Sequence, residues 1–213
     1  MMNCFETLLS ISRCASTPRN ARTCSLAAAM GHLEVLQWAR AHGCALDDIH
    51  ACQCAAQGGQ LAVLQWLRAQ DCPWDSATCS AAARNGHLDV LRRAREHGCD
   101  WDDMTCSRAA EGGHIEVLSW ARAHGCQWDW ECCAHAAAAG QLEALQWLRV
   151  QGCPFDERVC EGAARGGQLA VLKWLRGYGC PWDATLCESA IGHGRHEVLQ
   201  WCGGAGCWLQ NPC

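Results

Sequence analysis

Thr78-Cys79-Ser80-Ala81-Ala82-Ala83-Arg84-Asn85-Gly86-His87-Leu88-Asp89-Val90-Leu91-Arg92-Arg93-Ala94-Arg95-Glu96-His97-Gly98-Cys99 is one copy of a unit that the chain repeats. Gly86 has counterparts at Gly31, Gly59, Gly113, Gly140, Gly167 and Gly194, spaced by 27 residues except for one interval of 28. Cys24, Cys52, Cys79, Cys106, Cys133, Cys160 and Cys187 keep the same spacing, and so do Cys44, Cys72, Cys99, Cys126, Cys153, Cys180 and Cys207. Three registers agree over seven units, and the one extra residue falls in a connector, between Asp47 and Cys52. A fixed period of this kind is the signature of a repeat architecture, in which each unit buries its apolar side against the next.

The second half of the unit reads as a helix. In the first copy Leu33, Val35, Leu36, Trp38 and Ala39 are apolar while Glu34, Gln37 and His42 are polar. At about 100° per residue the apolar set covers an arc of about 220°, wider than a surface helix needs and suited to a helix with neighbours on both sides. The first half is rich in alanine, as in Ala81 to Ala83 and Ala136 to Ala139, so two helices can approach closely. Gly43, Gly98, Gly125, Gly152, Gly179 and Gly206 sit where a left-handed residue ends a helix, with Asp71 in that place once. Pro73, Pro154 and Pro181 then block continuation, and Asp47, Asp75, Asp102, Asp129, Asp156 and Asp183 are placed to cap the next helix. The connector is too short for a strand. Residues 5–16 align with the second helix of a repeat and are expected to form a degenerate cap. The predicted organisation is a capping segment over 1–22, repeats over 23–207 and a frayed tail over 208–213.

Composition removes several classes. Half of the 213 residues are apolar and 18% are charged, which argues against disorder. The net charge of −5 lacks the basic footprint of a nucleic-acid binder. No apolar run approaches a membrane span. The opening Met1-Met2-Asn3-Cys4-Phe5-Glu6 shows no basic or sustained apolar region of a secretory signal, and neither end carries a lipidation motif. A reducing compartment, cytoplasmic or nuclear, is expected. There is no Gly-rich phosphate loop, nucleophile elbow or paired-carboxylate motif, so no enzyme and no cofactor are expected.

Gly31-His32-Leu33-Glu34-Val35-Leu36 and Gly86-His87-Leu88-Asp89-Val90-Leu91, each preceded by alanines and followed by a Gly-capped end, resemble the ankyrin repeat. The likeness covers residues 23–207 with a shorter unit, and Ala77-Thr78-Cys79-Ser80 stands where the family has Thr-Pro-Leu-His. It is similar to the short ankyrin-like repeats, with Gly-Cys-Pro-Trp-Asp connectors, of large DNA viruses and of some algae and oomycetes; a viral protein would work in host cytoplasm. The resemblance implies an all-α solenoid of seven helix–turn–helix repeats without β-hairpin fingers, monomeric, non-catalytic and binding a protein partner. Loss of the fingers shifts expected binding to the first-helix face.

The chain holds 20 cysteines and 12 tryptophans against one tyrosine and two phenylalanines. Stacked helices lie about 8–10 Å apart, too far for in-register cysteines such as Cys79 and Cys106 to bridge. A pair flanking a connector, such as Cys72 and Cys79, is left open. The register cysteines read as small core residues. Only Cys52-Gln53-Cys54 and Cys132-Cys133 are closely spaced, and neither spacing is a zinc knuckle. The off-register Cys4, Cys14, Cys202 and Cys213 are the candidates for redox sensing. A thiol-rich redox or metal buffer is therefore the alternative function. A substrate-recognition part of a ubiquitin-ligase adaptor is another, although residues 1–22 and those after Gly203 show no recruiting motif.

Tryptophan forms two ladders expected to pack between repeats. Trp38, Trp66, Trp120, Trp147, Trp174 and Trp201 lie in second helices, with Arg93 replacing one rung; Trp74, Trp101, Trp128 and Trp182 lie in connectors, with Phe155 standing in. The helix ladder falls at the edge of the apolar arc and should be half-buried. Arg40, Arg68, Arg95, Arg122, Arg149 and Arg176 are expected to lay their stems on the core and satisfy terminal carbonyls. His32, His87 and His114 open second helices and His42, His97 and His124 close them, which points to capping and packing rather than catalysis.

The units differ most around the first-helix Thr/Cys. Positions that repeat serve every interface alike, whereas positions free to differ face solvent or a partner. This selects Met104, Arg108, Trp130, Glu131, His135 and Arg158 as candidate partner-binding residues. Trp130 belongs to neither ladder and is the candidate hot spot. The bland reading of Trp130 is that it folds back on Trp128.

Overall fold

A computed structural model describes residues 18–43, 49–179 and 184–204. The expected capping helix over 5–16, Cys44, Asp47, Cys180 to Asp183 and the tail lie outside the described residues. Fourteen helices run through the described residues, with no strand among them. The chain divides into two compact units, Met1–Thr105 and Cys106–Cys213.

In the first unit α1 (Pro18–Ala29) pairs with α2 (Leu33–Ala41), α3 (Ile49–Gln57) with α4 (Leu61–Ala69), and α5 (Ser76–Arg84) with α6 (Leu88–Glu96). First helices stack on first helices, α1 on α3 and α3 on α5, and α4 packs on α6. The boundary between the units falls inside α7 (Asp103–Gly112). Beyond it lie α8 (Ile115–Ala123), α9 (Trp130–Ala139), α10 (Leu142–Val150), α11 (Glu157–Gly166), α12 (Leu169–Gly177), α13 (Ala184–Gly192) and α14 (His196–Gly204). There α9 pairs with α10, α11 with α12 and α13 with α14, while α9, α11 and α13 stack in order. Cys202 is buried within α14, not frayed, because the helix continues through Gly203 to Gly204.

Each helix ends for a local reason. Within a pair, the glycine of the period adopts a left-handed φ, 77° at Gly86 and 78° at Gly140. The amide after it then bonds five residues back, His87 N–H to Ala82 O at 3.0 Å and Gln141 N–H to Ala136 O at 2.9 Å, which is the Schellman pattern. Second helices end in the same way. Cys72 N–H reaches Leu67 O at 3.1 Å and Cys99 N–H reaches Ala94 O at 3.0 Å, with Asp71 at φ 59° and Gly98 at φ 78°. The second cysteine register is therefore the C″ residue of this motif, which folds an apolar side chain back onto the helix it ends. First helices start on aspartate caps: Asp75, Asp129 and Asp156 accept from the amides of Ala77, Glu131 and Arg158 at 3.0, 2.8 and 3.1 Å.

The core follows the three-register reading. Val63, Leu64 and Leu67 of α4 and Val171, Leu172 and Leu175 of α12 are buried, as are the paired alanines and register cysteine of the first helices. Cys24, Cys52, Cys79, Cys106, Cys133, Cys160 and Cys187 are buried, and so are Cys72, Cys99, Cys126 and Cys153. All are free thiols. The two registers meet inside one repeat, twenty residues apart, and not across a connector. Cys52 Sγ lies 4.0 Å from Cys72 O, the thiol of Cys79 neighbours that of Cys99 and the thiol of Cys106 that of Cys126, and Cys99 Sγ donates to Asp75 O at 3.1 Å.

Candidate functional site

First helices approach closely because they carry small residues at the contact. A methyl group on Gly162 would come within 2.6 Å of Ala134 O, and one on Gly166 would strike Ala138 O. The backbones of α9 and α11 are thereby drawn together. Their larger side chains diverge at the solvent-facing side and leave a cleft of about 270 Å³.

Trp130, Glu131, His135, Arg158, Glu161 and Arg165 line this cleft. Four of them are candidates from the sequence, brought together from positions separated by up to 28 residues. Met104 and Arg108 do not line it. Met104 is half-buried in the first turn of α7, and Arg108 is paired with Glu111 at 2.7 Å. Trp130 does not fold back on Trp128, which instead meets Trp147 edge-on at 5.9 Å. The guanidinium of Arg158 covers the Trp130 ring, 3.7 Å from its centroid. Arg158 is locked there by Asp156, to which Nε donates at 2.9 and 3.1 Å and a terminal nitrogen donates as well. That bond holds the Asp156 carboxyl below its usual value and raises the Arg158 guanidinium. The result is a fixed cation–π plate at one end of the cleft.

Polar capacity remains on the other walls. His135 Nδ1 is buried and meets no hydrogen-bond partner. Glu161 accepts from Ser189 Oγ at 3.2 Å, which orients one carboxylate. A buried polar atom without a partner is costly, and an incoming donor or acceptor would relieve that cost. The arrangement offers an aromatic surface, both signs of charge and an unmet hydrogen bond within one cleft. Sequence reasoning counted Glu161 among the variable positions but did not select it, and it missed Arg165. Arg165 lies about one turn beyond Glu161 in α11, past the positions that were compared.

The aromatic and arginine ladders are scaffold. Trp38, Trp66, Trp120, Trp147, Trp174 and Trp201 are half-buried, as their place on the arc implied. Arg95 donates to Cys99 O at 2.6 Å and Arg68 donates to Cys72 O. Each also stacks on the next connector ring: Arg68 on Trp74 and Arg95 on Trp101 at 4.3 Å, Arg122 on Trp128 and Arg149 on Phe155 at 4.7 Å. The constant six-residue spacing from arginine to aromatic was the available signal. Among the described residues, no group of three or more His, Cys, Asp or Glu side chains is arranged to hold a metal ion. No helix of the described residues is long and apolar enough to cross a membrane.

No protein-family profile and no curated protein sequence matches this chain. Its structure is similar to the crystal structure of the human ASB11 ankyrin repeat domain, with a TM-score of 0.57 and 18% sequence identity over 78% of this chain and 85% of that one. At this identity the likeness speaks for the fold: stacked helix pairs on the ankyrin-repeat plan.

Proposed function

We propose that the chain is a non-catalytic scaffold that binds a partner protein through the first-helix face of its second unit. The observation that supports this most directly is the convergence of Trp130, Glu131, His135 and Arg158 on one cleft, since these were the positions free to vary in an otherwise repeated scaffold. The ankyrin-repeat plan of the fold supports it as well. Trp130 is the expected anchor, presented by Arg158 and rimmed by charge, in the manner of interface hot spots. Met104 and Arg108 are assigned supplementary contacts from α7. The buried, unbridged thiols favour a reducing intracellular setting.

The test is quantitative affinity capture with the intact chain and with Trp130→Ala and His135→Ala variants. Trp130→Ala should weaken capture of the main partner by about 2 kcal/mol or more while the melting temperature changes little. A large fall in stability with unchanged capture would sink the assignment, because it would make Trp130 a packing residue.

A further inference from the structure

The second-helix ladder has one missing rung. In α2, α4, α8, α10, α12 and α14 the sixth residue is tryptophan; in α6 it is Arg93. Several of these tryptophans meet one or both of two ring partners. One is the connector aromatic nineteen residues before it, as Trp128 meets Trp147 at 5.9 Å and 80°, and Phe155 meets Trp174 at 6.4 Å and 79°. The other is the ring one turn later: Trp38 stacks on His42 at 4.0 Å and Trp120 on His124 at 4.3 Å, and Trp174 meets Tyr178 at 4.6 Å with the rings tilted by 42°.

Both partners are present around Arg93 without the indole. Trp74 is the connector aromatic nineteen residues before it, half-buried and stacked by Arg68. His97 is the ring one turn later. Its Nδ1 donates to Arg93 O at 3.0 Å, the same tether that holds His42 on Trp38 O at 2.8 Å and His124 on Trp120 O at 2.7 Å. Between them lies a cleft of about 320 Å³, floored by Leu64 and Ala69 and walled by Arg68, Trp74, Arg93 and His97. No carboxylate lines it. Arg93 swings out towards Glu96, 3.6 Å away, where both side chains are well exposed to solvent. An exposed pair of that length is weak and leaves the arginine able to take a better partner.

We infer that this cleft docks an aromatic side chain carried by an acidic segment of a partner protein, which supplies the rung that the chain lacks. The incoming ring takes the place between Trp74 and His97 over an apolar floor, and flanking carboxylates meet Arg93 and Arg68. The site lies on second helices of the first unit and owes nothing to the α9–α11 cleft.

The probe is a short fluorescein-labelled peptide with one central tryptophan flanked by glutamates, titrated into the full chain and read by anisotropy. Saturable binding is expected. An alanine-centred peptide and a lysine-flanked peptide should each bind about tenfold more weakly or worse. Arg93→Trp should abolish binding, because its indole fills the cleft, while keeping or raising the melting temperature. Arg93→Glu leaves the cleft open at an exposed position and should weaken binding of the acidic peptide by a similar factor. Trp130→Ala should leave it unchanged. The inference is overturned by the absence of saturable binding, by equal binding of the tryptophan and alanine peptides or of the acidic and basic ones, by retained binding in Arg93→Glu or a folded Arg93→Trp, or by loss of binding in Trp130→Ala.

Discussion

Thr78 and Thr105 are fully buried, and neither hydroxyl finds a hydrogen-bond partner. Val159 holds the same register in α11 and is equally buried, so the scaffold accepts a branched apolar side chain there. A buried hydroxyl without a partner costs more than the methyl that would replace it. Thr78→Val should therefore raise the unfolding free energy by about 1 kcal/mol in urea titrations. A loss of stability would show that the hydroxyl is satisfied in solution and that the register is more polar than its valine implies. Individual residues were legible in the sequence wherever they repeat. The cysteines could be read as core, and Asp71 as left-handed, because seven copies restate one environment. The pairing of Arg158 with Trp130 was not legible. It joins two variable positions on the first helices of successive repeats, and nothing in the spacing shows that Asp156 aims the guanidinium.

At the scale of the element, the turn between paired helices does more than reverse the chain. At several turns the residue after the glycine extends back over the glycine of the preceding repeat and bonds the end of its first helix. His87 Nε2 donates to Gln57 O at 3.1 Å, Gln168 Nε2 to Ala138 O at 3.3 Å and Arg195 Nε to Arg165 O at 2.9 Å. A Cβ on Gly59, Gly140 or Gly167 would collide with these side chains. The alternation of histidine, glutamine and arginine at this place was visible in the sequence. Its purpose was not, because the bonded carbonyl lies thirty residues away in the neighbouring repeat. Two glycines separate the contributions. Gly152 at φ 75° has open space around a would-be Cβ, whereas Gly140 at φ 78° faces Gln168 at 2.6 Å. Gly152→Ala should cost only the left-handed backbone penalty, about 1 kcal/mol. Gly140→Ala should cost about 1 kcal/mol more, because Gln168 must release the carbonyl it satisfies. Equal losses in paired thermal melts would show that the inter-repeat bond contributes nothing to stability.

Across the whole molecule the repeated thiols become one collective property. Helix-pair repeats were legible from period, glycine and alanine alone, since every interface is written seven times. What the period could not give was how the two cysteine registers combine, because they meet across the width of a repeat and not along the sequence. Burial first, and then the neighbouring Cys72, push the Cys52 thiol from 9.0 up to about 12. Cys79 and Cys106 are raised by their bonds to Cys99 and Cys126 and then by burial, and Cys132 by its bond to Cys153 and then by burial. An acid whose folded value lies above its unfolded value stabilises the native state fully at pH below the unfolded value. As pH climbs past about 9, the unfolded chain gives up protons that the folded chain keeps, and each such thiol removes about 1.4 kcal/mol per pH unit until its folded value is reached. Native stability is of the order of 10 kcal/mol, so a few thiols acting together suffice to unfold the chain. The melting temperature should stay level with respect to thiol ionisation below about pH 8.5, then fall steeply towards about pH 10.5. Cys52→Ala should start lower, from its lost packing, and fall less steeply. A melting temperature that holds level to about pH 10.5 would mean that the thiols titrate in the folded chain as they do in the open one, and so that they are not core.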